Sequence, residues 1–485
     1  MYLSHIIRNE EILSLQKPND IEIGKPHTDS RKIGEKDVFF CEDGFHESGF
    51  AYAVRAAEQG ASCIITHRGG ARRIGILPVP VLEVENVRKS YALAWSRYEN
   101  SPEKDLKLFA VTGTNGKTSV SSFLHEILQI SGYPAGLIGT VSCSNGKETK
   151  PSDYTTPPPD VLYPLLSDIR HSGCRYAVME ASSHALAQNR LYGLSFETAI
   201  FTGLSRDHLD YHKTWESYRD TKAALFENAG NALINIDDAS AGYMAFAATG
   251  NVYYFGQKPE ADFYIKDAVC DRNGIHYMLH TDGKVLPITI PLIGNFHIYN
   301  TAAAIAAAYL AGIPEEMLIH AASSLKAPTG RLEKLKTDTD FSVYIDYAHT
   351  PDALVKALLS LRPFTKKLTV LFGAGGERDQ GKRAEMGAVA EVFADFVILT
   401  SDNPRNEDPS AILDDIEKGM NRNNRIRMED RTDAITYALQ HASTGEIILL
   451  AGKGHENYTV GKNGKTAFSE RDIVYRILNP SQKRK

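Results

Sequence analysis

The 485-residue chain is 42% hydrophobic and 24% charged, the balance of a globular protein rather than of a disordered or fibrous one. At about 150 residues per domain, three domains are expected. A net charge of -6 gives no general attraction for nucleic acid or an anionic membrane, so an anionic ligand has to be held by local groups.

The chain opens MYLSHIIRNEEILSL, with Glu10 and Glu11 where a secretory signal would need an uninterrupted apolar run, and a cytoplasmic location is expected. Up to residue 105, short β-rich runs at 37–41 and 61–66 alternate with helical stretches, and the polar segment 99–107 marks a boundary. Next come a strand at 106–111, a glycine-rich turn and an amphipathic helix on which Val120, Phe123, Leu124, Ile127 and Leu128 share one face. Strands at 176–179, 198–202 and 232–236 alternate with helices, as a largely parallel sheet requires.

The Ala-rich stretch 301–313 is well short of the roughly 20 residues that span a bilayer, so a buried helix and no membrane insertion are expected. After Pro328-Thr329-Gly330-Arg331 a second α/β series has strands at 341–345, 368–372, 396–399 and 446–450. The fold class is therefore α/β in three domains, 1–105, 106–331 and 332–485. The central one carries a P-loop-type parallel sheet and the last is Rossmann-like. The basic tail 482–485 reads as a frayed end. Cys41, Cys63, Cys143, Cys174 and Cys270 lack CxxC spacing and read as packing residues.

Thr112-Gly113-Thr114-Asn115-Gly116-Lys117-Thr118-Ser119 lies between a strand and a helix and reads as a phosphate-binding loop. Glycines admit phosphate oxygens to backbone N–H groups, Lys117 reaches the β/γ-phosphates, and Thr118 can ligate magnesium. The pattern GxxxxGK[ST] would place its first glycine at position 111, which is Val111. Glu180 and His208 each follow a strand, where α/β sheets place ligands, and with the loop they read as a magnesium site. In the third domain four strands end in polar clusters: Asp346 to His349, Gly373 to Arg378, Ser401 to Arg405 and Gly452 to Glu456. All four are expected to face one crevice. Arg378 and Arg405 suit a carboxylate ligand.

Gly113 to Thr118, Glu180-Ala181-Ser182-Ser183-His184-Ala185-Leu186, Asp207-His208-Leu209-Asp210-Tyr211-His212 and Asp346-Tyr347-Ala348-His349-Thr350-Pro351 together resemble the Mur ligase family. The likeness runs from about Asp29 to Tyr458. It implies domains that bind a UDP-muramoyl substrate, ATP and an amino acid, and an acyl phosphate attacked by the incoming amine. It also implies that Lys222 is carbamoylated and, with Thr118, Glu180 and His208, belongs to the magnesium site; a surface lysine on an amphipathic helix is the plain alternative. Lys117, Glu180, His208 and Lys222 would then be the catalytic set. Asn300 would approach adenine, Arg331 phosphate and Asp346 ribose, completing an ATP site with Gly113 to Ser119.

For the UDP-muramoyl dipeptide the resemblance points to Ser30, Thr155, Thr156, Ser182, Gln188 and Arg190, with Tyr154 where the family commonly has asparagine. Asp402-Asn403-Pro404-Arg405 is similar to the motif of members that add meso-diaminopimelate to UDP-N-acetylmuramoyl-L-Ala-D-Glu, and Arg378, Gly452 and Glu456 complete that pattern. Arg405 suits the distal carboxylate, which L-lysine lacks, and Glu456 suits the ammonium. A monomer is expected. The alternatives are the same ligation with L-lysine, another acid substrate as in folylpolyglutamate synthetases, or a non-catalytic partner of cell-wall enzymes.

Overall fold

The computed structural model describes residues 1–13, 20–42, 44, 48–271 and 273–478; the basic tail 482–485 lies outside them. Apolar runs too short for helices form inner strands. Val38–Phe40 is buried throughout and Cys63–His67 nearly so. They pair in parallel with each other and with Pro26–His27 and Val81–Val84 in a four-stranded sheet. Burial on both faces is what a helix-covered parallel sheet demands. Helix Val87–Tyr98 supplies one cover with Tyr91, Ala94 and Trp95. Its first turn is capped by Asn86, which accepts from the Lys89 N–H at 3.0 Å.

The expected central strands are present as Lys107–Thr112, Tyr176–Glu180, Phe196–Phe201 and Ala229–Asn235. With Ala135–Ile138, Asn251–Gly256 and Phe263–Asp271 they make a continuous parallel array. The sheet also grows antiparallel edges that the sequence reading did not include. Gly274–Thr281 and Lys284–Ile290 extend one side, and Ser142–Ser144 and Thr149–Pro151 the other. Lys284–Ile290 alternates between exposed and buried positions from Val285 on, because only one of its faces packs on the core while the other meets water.

That core includes the helix Phe296–Leu310, which starts before the expected 301 and buries all of Thr301 to Ala308. Alanine on every side lets this helix lie close against Lys117–Ile130 and the sheet. No helix among the described residues is long and apolar enough to cross a membrane. Cys41, Cys63 and Cys174 are buried, and Cys143 and Cys270 are half-buried.

A third sheet takes the order Glu333–Lys334, Ser342–Asp346, Ile447–Ala451, Leu368–Phe372, Phe396–Leu399, Arg425–Arg427, parallel apart from the first strand. Its polar strand ends look toward those of the central sheet. Asn115 Nδ2 donates to Asp352 Oδ2 at 3.1 Å, and Arg331 Nη2 donates to Thr118 Oγ1 at 3.1 Å.

Helix Gly381–Phe393 is tied beneath this sheet by Arg383, only 1% exposed, which pairs with Glu407 at 2.8 Å and Asp415 at 2.9 Å. Arg383→Met should cost about 3 kcal/mol in denaturant titration at pH 7, because two carboxylates lose a buried cation. Burial acts to raise the pKa of Glu407, but the Glu377 N–H and Arg383 outweigh it; Asp415 is held down by Lys418 and Arg383. Carboxyls with depressed pKa values stabilise the fold above their unfolded pKa and cease to do so as acid protonates them. The wild-type advantage should therefore shrink as the pH falls through and below the ordinary carboxylate range.

Candidate functional site

Strand Lys107–Thr112 delivers a loop whose two glycines are required by close approach. Gly113 has φ +146, and a Cβ there would fall 1.9 Å from Thr202 Oγ1; Gly116 has φ +89, and a Cβ would fall 2.8 Å from Asn300 Oδ1. Helix Lys117–Ile130 then begins, leaving its first N–H groups for an anion. Lys117 Nζ donates to Gly113 O and Thr114 O, each at 3.0 Å. Ser119 is buried behind the loop.

Glu180 ends strand Tyr176–Glu180 and is 1% exposed. Its carboxylate accepts from Thr140 N at 2.7 Å and Thr118 Oγ1 at 3.0 Å, and Thr140 Oγ1 lies 2.9 Å away. Thr140 was missing from the sequence reading. Its signal was weak, a single hydroxyl following Gly139. His208 has φ +54 and stacks edge-on to His184 at 4.8 Å. Burial pushes its pKa down to about 3, although Asp207 opposes the shift, so the imidazole is neutral near pH 7.

Lys222, on helix Trp215–Ala223, is 1% exposed. This excludes the surface-lysine alternative. Its Nζ donates to Gly113 O at 2.9 Å, the same oxygen that Lys117 contacts. Burial first, and the neighbouring Lys117 second, hold its pKa well below the ordinary lysine value.

Lys117, Thr118, Thr140, Glu180 and His208 open on a cavity of about 590 Å³ that also receives Asn300, Arg331 and Asp346. Asp346 accepts from Leu332 N at 2.6 Å and Ala348 N at 2.8 Å, while burial raises its pKa to about 6 against the pull of Arg331. His349 of the Asp346 cluster lines the same space, as do Asp237, Tyr299 and Lys356, which were not singled out from sequence. Asp237 directly follows Asn235 and Ile236 at a strand end, a position that could have flagged it. Among the described residues no three His, Cys, Asp or Glu side chains form a ready metal cluster. The hard oxygens of Thr118 and Glu180, with neutral His208 beside them, nonetheless fit magnesium that arrives with a nucleotide and needs few protein ligands.

Beside Glu180 the next predicted set is contiguous. Thr156 Oγ1 donates to Glu180 O at 2.7 Å and sits 3.1 Å from Ser182 Oγ. Arg190 reaches Thr156 O at 2.7 Å and Gln188 Oε1 at 2.7 Å, and Thr155 Oγ1 lies 3.0 Å from Thr140 Oγ1. Ser30 is buried in the first sheet region, which meets this area through Lys32 and Asp160 at 3.1 Å. No hydrogen bond joins Ser30 to the other five among the described residues.

The four strand-end clusters of the third sheet do converge. Asn403 Nδ2 donates to Glu456 Oε2 at 2.8 Å, and Tyr347 OH lies 3.4 Å from Glu456 Oε1. Arg405 has φ +53, donates from its backbone to Val460 O at 2.9 Å, and from Nη1 to Gly376 O. Gly452 has φ +109, where a Cβ would lie 2.6 Å from Asp402 Oδ2. A Cβ on Gly376 would fall 2.0 Å from Pro404 O. Arg378 is exposed near Gly375. Burial raises the pKa of Glu456, and Asn403 offsets part of that.

Fold and site together define a nucleotide-binding α/β protein of the phosphate-loop class, with a second sheet facing the loop. A Mur ligase middle domain model matches residues 111–308, and the Mur ligase glutamate ligase domain model matches residues 330–454. The UDP-N-acetylmuramoyl-L-alanyl-D-glutamate--2,6-diaminopimelate ligase of Caldanaerobacter subterraneus subsp. tengcongensis is 40% identical over 470 residues, 96% of each chain. A solved structure of a ligase of the same name has TM-score 0.69 and 32% identity, covering 95% of both chains. The MurF ligase of Thermotoga maritima in complex with ADP shares the fold at 18% identity, TM-score 0.63, over 94% of this chain and 96% of that one. The chain belongs to the Mur ligase family.

Proposed function

We propose that this protein is an ATP-dependent, ADP-forming ligase that joins meso-diaminopimelate to the D-glutamyl residue of UDP-N-acetylmuramoyl-L-Ala-D-Glu, a cytoplasmic step in peptidoglycan precursor synthesis. The observation that carries the reading is that a guanidinium-bearing residue, Arg405, and a half-buried carboxylate, Glu456, are brought together at the third-sheet strand ends through Asn403 and Val460. The names of the full-length relatives support it. Residues 1–105, 106–331 and 332–485 would serve as the UDP-muramoyl, ATP and amino-acid domains.

In this scheme the substrate carboxylate attacks the γ-phosphorus of ATP, the bond to the ADP oxygen breaks, and an acyl phosphate forms. The amine then attacks the acyl carbon, inorganic phosphate leaves and the amine gives up a proton. Lys117 and the loop N–H groups hold the β- and γ-phosphates, and Arg331, already bonded to Thr118, adds positive charge from the third-sheet side. Asn300 and Asp346 lie where the nucleoside would rest. Thr118 and Glu180, with His208 nearby, would hold magnesium, which when bound offsets charge on the phosphoryl group. Thr155, Thr156, Ser182, Gln188 and Arg190 form the polar wall for the muramoyl dipeptide, and Ser30 would complete it from the first sheet region. Arg378, Asp402, Asn403, Pro404, Arg405, Gly452 and Glu456 form the acceptor pocket.

The test is phosphate release with ATP, magnesium and the muramoyl dipeptide, comparing meso-diaminopimelate, L-lysine and no amino acid. Turnover confined to meso-diaminopimelate is expected. Turnover with L-lysine alone would overturn the acceptor assignment, and silence with all three would overturn the ligase reading. Arg405→Ala should raise KM for meso-diaminopimelate by about 50-fold, the loss of one bidentate charged pair, and leave KM for ATP within about twofold. Equal increases for both would remove Arg405 from the acceptor site.

A further inference from the structure

We propose that Lys453 is a positioning residue for acceptor recognition: its buried ammonium holds the Asn403 carboxamide so that the amide N–H groups face Glu456 and fix that carboxylate for the ammonium of the incoming amino acid. The inference rests on the acceptor pocket proposed above and deepens it.

Lys453 follows strand Ile447–Ala451 and is 0% exposed. A buried ammonium is costly unless it is bonded and its charge balanced. Both conditions are met by groups of the acceptor pocket. Nζ donates to Asn403 Oδ1 at 3.1 Å and to Tyr458 O at 2.9 Å. The carboxylates of Asp402 and Glu456 stand at 3.8 and 3.9 Å, too far to accept a hydrogen bond but close enough to balance the charge.

The bond to Asn403 fixes an orientation. Asn403 Oδ1 also accepts from Val460 N at 2.9 Å, so both acceptor sites of this oxygen are occupied. A flipped amide would set its NH2 group against two donors. Nδ2 is thereby left to donate to Glu456 Oε2 at 2.8 Å. Val460 O accepts from Arg405 N at 2.9 Å, so the hairpin Tyr458–Gly461 and Gly464–Ala467 anchors Lys453, Asn403 and Arg405 together. Without the ammonium, the buried Asp402 and the half-buried Glu456 would be two carboxylates lacking their shared cation. Such a pair favours taking up a proton, and a protonated Glu456 is a poor partner for an ammonium.

The experiment measures KM for meso-diaminopimelate, ATP and the muramoyl dipeptide, and kcat, in the wild-type full chain, Lys453→Met and Asn403→Asp. Lys453→Met is expected to raise KM for meso-diaminopimelate about tenfold, with the other two KM values within about twofold. Asn403→Asp keeps an acceptor for Lys453 and Val460 but loses the donor to Glu456, and the same selective rise is expected. A filler of space would not produce this split, so unchanged or uniformly raised KM values in folded variants overturn the proposal. If Lys453→Met loses cooperative melting, the split in Asn403→Asp decides. Wild-type protein that releases no phosphate in response to meso-diaminopimelate would overturn the proposed function itself, and this inference with it.

Discussion

Lys117→Met should lower kcat by about a thousandfold or more while ADP still binds, because the lost group acts on charge that develops during phosphoryl transfer. The cation is fixed before any substrate arrives. Its Nζ spans Gly113 O and Thr114 O, each at 3.0 Å, and so is held at the mouth of the loop. Burial acts to lower its pKa, while Glu180 and Asp207 act to keep it charged. Methionine matches the stem length and removes only the charge and its hydrogen bonds. Gly113 O keeps a donor in Lys222, so the loop should stay folded. Lys117→Arg should fail as well, since a planar guanidinium is not an ammonium on a short span between two carbonyls. Phosphate-release rates together with calorimetric ADP binding check this result. Activity within tenfold of wild type would show that Lys117 does not meet the transferring phosphoryl group.

Much of this site was readable in the sequence because it lies at the ends of apolar strand runs. The runs at 106–111 and 176–179 fix where Gly113 and Glu180 must emerge, and four of the six third-sheet strands were found almost to the residue, while the short edge strands 333–334 and 425–427 were missed. What escaped has physical reasons. Lys453 sits in a glycine-flanked turn where a lysine usually meets solvent, and nothing local shows that Asn403, fifty residues earlier, encloses it. Thr140 gains meaning only by facing Glu180 across the sheet. Contacts such as Asn115 with Asp352 and Thr118 with Arg331 join segments more than 200 residues apart. The antiparallel strands 274–281 and 284–290 did carry a period-two pattern, but the reading of a largely parallel array passed over it.

Lys222→Ala should lose about a thousandfold in activity and recover part of it in acetate or formate, since a catalytic charge next to a phosphate site is removed and then supplied from solution. The environment of Lys222 argues for a neutral amine. Two lysines share Gly113 O, at 2.9 Å from Lys222 and 3.0 Å from Lys117, and two ammonium groups that close repel each other. Lys222 is the one held well below the ordinary lysine pKa, so its lone pair is available to carbon dioxide. Carbamoylation would form the N–C bond as one C–O π bond becomes a carboxylate oxygen, with the amine releasing a proton. A neutral amine beside the loop would thereby be exchanged for an anion that favours a second magnesium. Thr112 Oγ1 at 3.4 Å and the Tyr218 ring, 4.9 Å away, confine the stem. Truncation at Cβ leaves a slot that a one- or two-carbon carboxylate can enter. Rates of the variant in acetate, formate and chloride at equal ionic strength measure the effect, with thermal melting as the control for folding. Recovery in both carboxylates but not in chloride is the expected pattern. A folded variant that stays silent in all three salts, or wild-type activity indifferent to carbon dioxide depletion and bicarbonate addition, would leave Lys222 as a structural support of the phosphate loop.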